Sequence, residues 1–177
     1  MRRIVVLGTS GAGKTTLARE LARRLNLTHV ELDAIHWKPN WTSTPTDRMI
    51  EEVGAALDAA DAKSNGWTVC GHYGQVRHVT WGRADTIIFL DYPMSVVFTR
   101  VLRRTLRRWW RQEELWNGNR ESLRVNFLSR DSLFLWVLNT WRIRRRTMPR
   151  LLRHPQFAHL KAMRFRTPQQ LERWLAR

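Results

Sequence analysis

Cysteine is nearly absent: Cys70 is the only one in 177 residues, and a lone thiol cannot close an internal disulfide. A disulfide-stapled secreted scaffold is excluded. Acidic residues are scarce too, 15 against 31 lysines and arginines, for a formal charge of +16 and a pI near 11.6. Such an excess implies phosphate-bearing partners: nucleic acid, an anionic surface or phosphorylated small molecules. Long apolar runs are also missing. Ile4-Val5-Val6-Leu7 stops at Gly8, too short for a signal peptide's apolar stretch. Leu133 to Leu138 is no longer than a turn or two of helix, where a membrane span needs about twenty residues. No integral membrane association and a cytoplasmic location are the expectations. A hydrophobic share of 43% with 26% charged residues argues against disorder.

Read in order, the chain alternates strands and helices. Ile4–Leu7 is apolar and partly β-branched, as a buried parallel strand should be. Leu17, Leu21 and Leu25 recur every fourth residue, so 14–25 is an amphipathic helix. Residues 29–33 make a second strand, a loop holds Pro39 and Pro45, and Asp47 to Ala60 is helical. Trp67–Cys70 and Asp85–Leu90 are further strands. Pro93 opens a long arginine-rich helix, 121–152 is mostly helical, and a strand at 160–165 and a helix at 168–176 follow. This order predicts an α/β protein with a doubly wound parallel sheet, and a single domain over 1–177.

Gly8-Thr9-Ser10-Gly11-Ala12-Gly13-Lys14-Thr15 fits G-x-x-x-x-G-K-[ST] in full, between a strand and a helix. The glycines let main-chain N–H groups close around an anion, and the following helix adds its positive end. Gly8, Ser10, Gly11, Ala12, Gly13, Lys14, Thr15 and Thr16 are therefore the expected ATP-binding residues, with Lys14 on the β- and γ-phosphates and Thr15 on Mg2+. Asp33, at the expected end of the second strand, is placed to accept a hydroxyl proton or to hold the metal. Trp37 and Trp41 suit stacking on a base or sugar, or else cover a core edge. His72 and Tyr73 follow the Trp67–Cys70 strand and are candidates to face the acceptor. Between residues 100 and 150 lie fourteen arginines and four acids. Arg100, Arg104 and Arg108 share one helix face, with Arg103, Arg107 and Arg111 on the adjoining one. Arg104, Arg107 and Arg108 are the expected stabilisers of a transferring phosphoryl group. Arg142, Arg144, Arg145 and Arg146 form a second run that either serves the same lid or lies in solvent. The histidines show no metal spacing, and no acyl-transfer motif is present.

The phosphate loop, Leu32-Asp33, Trp37-Lys38-Pro39-x-Trp41, Gly71-x-Tyr73 and Ile88-x-Leu90-Asp91-x-Pro93 together resemble the adenylate-kinase-related bacterial P-loop family often labelled "DNA topology modulation protein". Glu114 to Ser122 is similar to a segment of its actinobacterial members. The resemblance implies a P-loop fold of the nucleotide-kinase type. It implies an acceptor-binding segment over 33–62, an arginine-rich lid over about 100–150, and an adenine contact from Arg166. It also implies an acidic residue where this chain has Cys70, which leaves metal positioning to Thr15 and Asp33, with Asp91 as a further carboxylate. The expected activity is a phosphotransferase using ATP and Mg2+ on a small-molecule acceptor, a nucleotide or nucleoside. A monomer or homodimer is the expected state. A nucleic-acid-associated ATPase or a polynucleotide kinase is the alternative, and an interfacial membrane-surface role for the Leu102, Leu106, Trp109 and Trp110 stretch is a third reading.

Overall fold

The computed structural model describes residues 1–119 and 133–176. In chain order its elements are β1 (Arg3–Gly8), α1 (Lys14–Leu25), β2 (Thr28–Glu31), α2 (Leu32–His36), β3 (Trp37–Lys38), β4 (Thr42–Ser43) and α3 (Thr46–Lys63). These are followed by β5 (Trp67–Cys70), α4 (Arg77–Arg83), β6 (Thr86–Leu90), α5 (Met94–Trp110), α6 (Leu133–Leu151), β7 (Lys161–Phe165) and α7 (Pro168–Leu175). The expected helix over 121–132 lies outside the described residues.

The main sheet runs β2-β5-β1-β6-β7, and every pairing in it is parallel. β1 lies at its centre, with Ile4, Val5, Val6 and Leu7 all buried. A strand covered on both faces needs apolar residues at successive positions, which explains the unbroken runs in β1 and β6. On one face α1 and α5 pack through Leu17, Leu21, Val97 and Val101, and α7 lays Leu171 and Trp174 beside Phe165 of β7. On the other, α3 contributes Met49, Val53 and Leu57, and Trp67, Trp81 and Phe157 complete the layer. The architecture is therefore a doubly wound α/β sandwich. Its phosphate loop leaves the carboxyl end of β1, which lies between β5 and β6, the crevice where open α/β sheets receive ligands.

Three local readings change. The second strand ends at Glu31, and Asp33 lies in the first turn of α2 instead of at a strand end. Leu32 is buried and Ile35 packs beside it in the same core, an i, i+3 pair that only a helical turn turns inward. The Thr44 hydroxyl closes this turn by donating to the Ile35 and His36 carbonyls at 2.7 and 3.1 Å. The tryptophan loop is a small antiparallel hairpin, β3 against β4, with Asn40 and Trp41 both at positive φ. Asp85 precedes β6 instead of opening it, and its carboxylate accepts the Arg2 and Arg3 amides at 2.7 and 2.9 Å.

Gly11 shows how tightly the loop sits on α5. Its φ is +84°, and a Cβ there would lie 2.5 Å from Val101 Cγ2 and 2.7 Å from the Val97 carbonyl oxygen. Gly11→Ala combines a left-handed backbone with overpacking, so a stability loss of about 2–4 kcal/mol is expected. Chemical denaturation checks this. A loss below 0.5 kcal/mol would mean that α5 does not press on the loop.

Candidate active site

The loop is built to receive an anion. Ala12 N donates to Thr9 O at 3.0 Å, which curls the chain, while Gly11 and Gly13 take the positive φ values of +84° and +91°. Gly13 is the N-cap of α1, yet no side chain caps this helix and no acid occupies its first turn. Its first amides and its positive dipole end are thus available to phosphate oxygens. Lys14 folds back to the Thr9 carbonyl at 3.3 Å. Thr15 is half-buried and Thr16 is exposed.

Three guanidiniums reach this loop. Arg100 donates to Ala12 O at 3.4 Å, Arg104 to the Ser10 hydroxyl at 3.3 Å and Arg144 to Gly8 O at 3.1 Å. Arg100 and Arg104 come from one face of α5, and Arg144 comes from α6. Of the predicted set, Arg104 meets the loop, while Arg107 and Arg108 lie against Glu113 at 3.2 and 3.9 Å. In the second arginine run Arg144 turns inward, whereas Arg142, Arg145 and Arg146 are exposed.

The cost of burying a cation shows in Lys14. Burial, reinforced by Arg144 and Arg104 and opposed by Asp33 and Cys70, brings its pKa down to about 8. Tyr73 donates its hydroxyl to Asp33 Oδ1 at 2.5 Å, which fixes one carboxylate oxygen. Burial first, and then the Asp33 charge, push the Tyr73 hydroxyl pKa up, so it remains a donor. Burial, with Arg144, Arg77 and Lys14 adding to it, pushes His72 down to about 3, so its imidazole is neutral.

The metal question has a specific answer. Cys70 is buried, and burial pushes its thiol up to about 12, so it carries no charge at neutral pH. Its register partner across the sheet is Glu31, whose carboxylate accepts the Thr15 hydroxyl at 3.3 Å. Thr15 Oγ1 also lies 3.5 Å from Cys70 Sγ. Glu31 Oε2 accepts the exposed Arg19 guanidinium at 2.9 Å, so Glu31 Oε1 and the Thr15 hydroxyl, with Asp33 nearby, are the oxygen donors that suit Mg2+. Glu31 was missed by the sequence reading. Its signal was the acid-x-acid spacing of Glu31-Leu32-Asp33 at a strand end. Asp91 does not join the set: it is 4% exposed and accepts Arg164 Nε and Nη2 at 3.0 and 2.5 Å on one oxygen. A buried carboxylate already committed to a guanidinium is a structural anchor between β6 and β7.

The tryptophans are joined to this centre through aromatic contacts. Trp37 meets Trp41 edge-on at 5.5 Å between ring centroids, and His36 at 4.6 Å; His36 in turn meets Tyr73 at 4.5 Å. The hairpin is pinned by the Trp116–Asn119 turn. Asn119 accepts from Trp41 N at 2.8 Å and donates to Lys38 O at 2.9 Å, and Asn117 donates to Trp37 O. Arg166 is exposed just after β7, its amide donating to Gln170 Oε1 at 2.8 Å.

Comparison with known proteins agrees with this architecture. Uncharacterized protein YqaC of Bacillus subtilis (strain 168) is 28% identical over 137 residues, covering 75% of this chain and 72% of that protein. An unliganded sugar kinase from Janibacter sp. HTCC2649 superposes with a TM-score of 0.54 at 23% identity, over 99% of this chain and 93% of that one. A shikimate kinase from Bacteroides thetaiotaomicron gives 0.51 at 19% identity, over 99% of both chains. At these identities the likeness shows the fold, which is that of the P-loop kinases. A family model described as an AAA domain matches residues 4–123, and the chain belongs to that AAA-domain family.

Proposed function

We propose that the protein is a phosphotransferase that moves the γ-phosphoryl group of ATP to a hydroxyl or phosphate oxygen of a small-molecule acceptor, a nucleotide or nucleoside. The observation that carries this reading is a carboxylate oriented by Tyr73 beside a phosphate loop that three arginines surround. A simple ATP-binding switch has no need of that carboxylate.

The loop amides and Lys14 bind the β- and γ-phosphates. Thr15 and Glu31 would hold Mg2+, which would supply neutralisation of phosphate charge. Asp33 takes the proton of an acceptor hydroxyl as its oxygen bonds to the γ-phosphorus. The bond from that phosphorus to the β–γ bridging oxygen breaks, and ADP leaves with the electron pair. Arg104 and Arg144 stabilise the charge on the transferring group, and Arg100 steadies the loop. Trp37 and Trp41 form one wall of the acceptor segment. The adenylate-kinase-related group named above is the finer family we infer.

A second reading draws support from α5. Trp110 is 83% exposed and Trp109 42% exposed, among Arg107, Arg108 and Arg111, an arrangement that suits base stacking with phosphate contacts. On that reading affinity for an oligonucleotide falls by about 0.7–0.9 log units per contact for each log unit of salt.

Product mass spectrometry tests the main reading. The protein is incubated with Mg-ATP and a pool of nucleoside monophosphates, nucleosides, sugars and short oligonucleotides, beside a Lys14→Ala control. A new phosphorylated small molecule absent from the control is the expected result. ATP consumed only with oligonucleotide, and no product gaining phosphate, would replace it with the second reading.

The Lys14 pKa of about 8 also predicts a pH dependence. Below pH 8 the ammonium is present to meet the phosphates; above it the free protein has lost that charge. ATP dissociation constants measured by calorimetry are expected to be about tenfold weaker at pH 9 than at pH 7. The slope should vanish in Lys14→Met. A flat profile in the wild type would contradict the assigned role of Lys14.

A further inference from the structure

Within the Glu114–Ser122 stretch, the Trp116–Gly118 turn and Asn119 lie against the tryptophan hairpin. Asn119 is 4% exposed, and both ends of its side-chain amide are committed. Its Oδ1 accepts Trp41 N at 2.8 Å, and its Nδ2 donates to Lys38 O at 2.9 Å and to Trp116 O at 2.7 Å. Lys38 O and Trp41 N are the first and fourth groups that a closed turn joins directly. Asn119 bridges them instead, so the tip of the hairpin takes its shape from a residue outside it. A carboxylate in its place could accept from Trp41 but could not donate to the two carbonyls.

Trp41 shows the consequence. It holds a φ of +55°, a region that bulky residues rarely occupy, and its ring meets Trp37 and Trp116 edge-on at 5.5 and 6.5 Å. Asn117 adds a second clasp, donating to the Trp37 and Ala34 carbonyls. From Trp37 the contacts continue through His36 and Tyr73 to Asp33.

The same turn is tied to the arginine helix. Glu113 N donates to Arg108 O at 3.0 Å, and the Glu113 carboxylate faces Arg107 and Arg108, which fixes the chain where it leaves α5. Leu115 N then donates to Asn119 O at 2.7 Å. Arg104, one turn earlier on α5, reaches Ser10 of the phosphate loop. Packed and hydrogen-bonded elements therefore run without a break from the phosphate loop, through α5 and Asn119, to the hairpin.

We propose that Asn119 is a positioning residue that couples the two halves of the site. It holds Trp37 and Trp41 in the acceptor wall, and it makes that wall follow α5 when nucleotide draws Arg100 and Arg104 onto its phosphates. The wall's role as acceptor surface rests on the phosphotransferase reading, which this inference deepens.

Hydrogen exchange of segment 37–43, followed by mass spectrometry with and without the magnesium complex of the non-hydrolysable analogue AMPPNP, tests the coupling. Wild type is compared with Asn119→Asp and with Asn117→Gly. The second variant keeps a left-handed backbone and removes one exposed amide, so it serves if Asn119→Asp does not fold. The wild-type hairpin is expected to exchange about threefold more slowly with nucleotide; each variant should lose that response and exchange about tenfold faster without it. AMPPNP affinity by calorimetry should stay within about twofold, because the phosphate loop is untouched. Phosphoryl transfer from Mg-ATP should fall about tenfold when the acceptor pool is limiting and recover when it is in excess, a loss of KM type.

A wild-type hairpin indifferent to nucleotide overturns the inference, and so does a response that persists in both variants. Transfer unchanged at limiting pool overturns the positioning role, as does a loss equal at limiting and excess pool with AMPPNP affinity falling alongside. A wild type that transfers nothing, yet whose nucleotide response depends on Asn119, keeps the coupling and loses the phosphotransferase reading. Transfer by a wild type whose hairpin ignores nucleotide does the reverse.

Discussion

Lys14→Met is expected to lower phosphoryl transfer by about 10³-fold and, at the same time, to make the protein more stable. The second effect follows from burying the charge. Lys14 sits at about 8 in the folded protein against 10.5 for an ordinary lysine, because burial and the neighbouring Arg144 and Arg104 oppose its charge. The unfolded chain then holds the proton more tightly than the folded one. The ammonium destabilises the fold at every pH below 8, and the penalty fades as pH rises from 8 to 10.5. Removing the charge should raise stability near pH 7 by on the order of 2 kcal/mol, discounted from the full shift because the side chain is half-buried. Thermal unfolding at pH 7 should show a midpoint higher by several degrees, and at pH 10 the gain should largely disappear. A variant that is inactive but less stable at pH 7 would mean that Lys14 supports the fold and that the charge argument is wrong.

Asp33→Asn is expected to reduce turnover by about 10²–10⁴-fold, the range for loss of a positioned general base, while ATP affinity changes by only a few fold. The substitution keeps shape and removes the proton acceptor. Tyr73→Phe takes away only the hydroxyl that orients the carboxylate, so a loss of about tenfold is expected. Steady-state kinetics beside calorimetric ATP binding separate the two effects. If Asp33→Asn abolished ATP binding with turnover, Asp33 would belong to nucleotide binding, and the proton-acceptor role would fall.

The parts of the fold that could be read from the chain are those with a local cause. Ile4 to Leu7 and Thr86 to Leu90 are continuous apolar runs because parallel strands are covered on both faces. The phosphate loop is legible because its glycines and lysine are required at fixed spacing. What escaped was decided by distant residues. Leu32–His36 is too short to show a helical period, and its turn is closed by Thr44. The tryptophan hairpin holds Asn40 and Trp41 at positive φ because Asn117 and Asn119, far along the chain, bond to its backbone. Arg144 differs from Arg142, Arg145 and Arg146 only in which way α6 turns toward the loop, and composition carries no such information. Glu31 gained its place beside Thr15 through the register that sets it opposite Cys70, a pairing visible only once β2 and β5 are neighbours.

The most direct measurement of the central claim follows the phosphoryl group itself. ATP carrying oxygen-18 on its γ-phosphoryl is turned over with magnesium and the acceptor pool, and the label is located by mass spectrometry and phosphorus NMR. The account predicts heavy oxygen on an organic phosphate ester or anhydride, dependent on Lys14 and Asp33. Label recovered only as inorganic phosphate, with a rate set by added oligonucleotide, would contradict it.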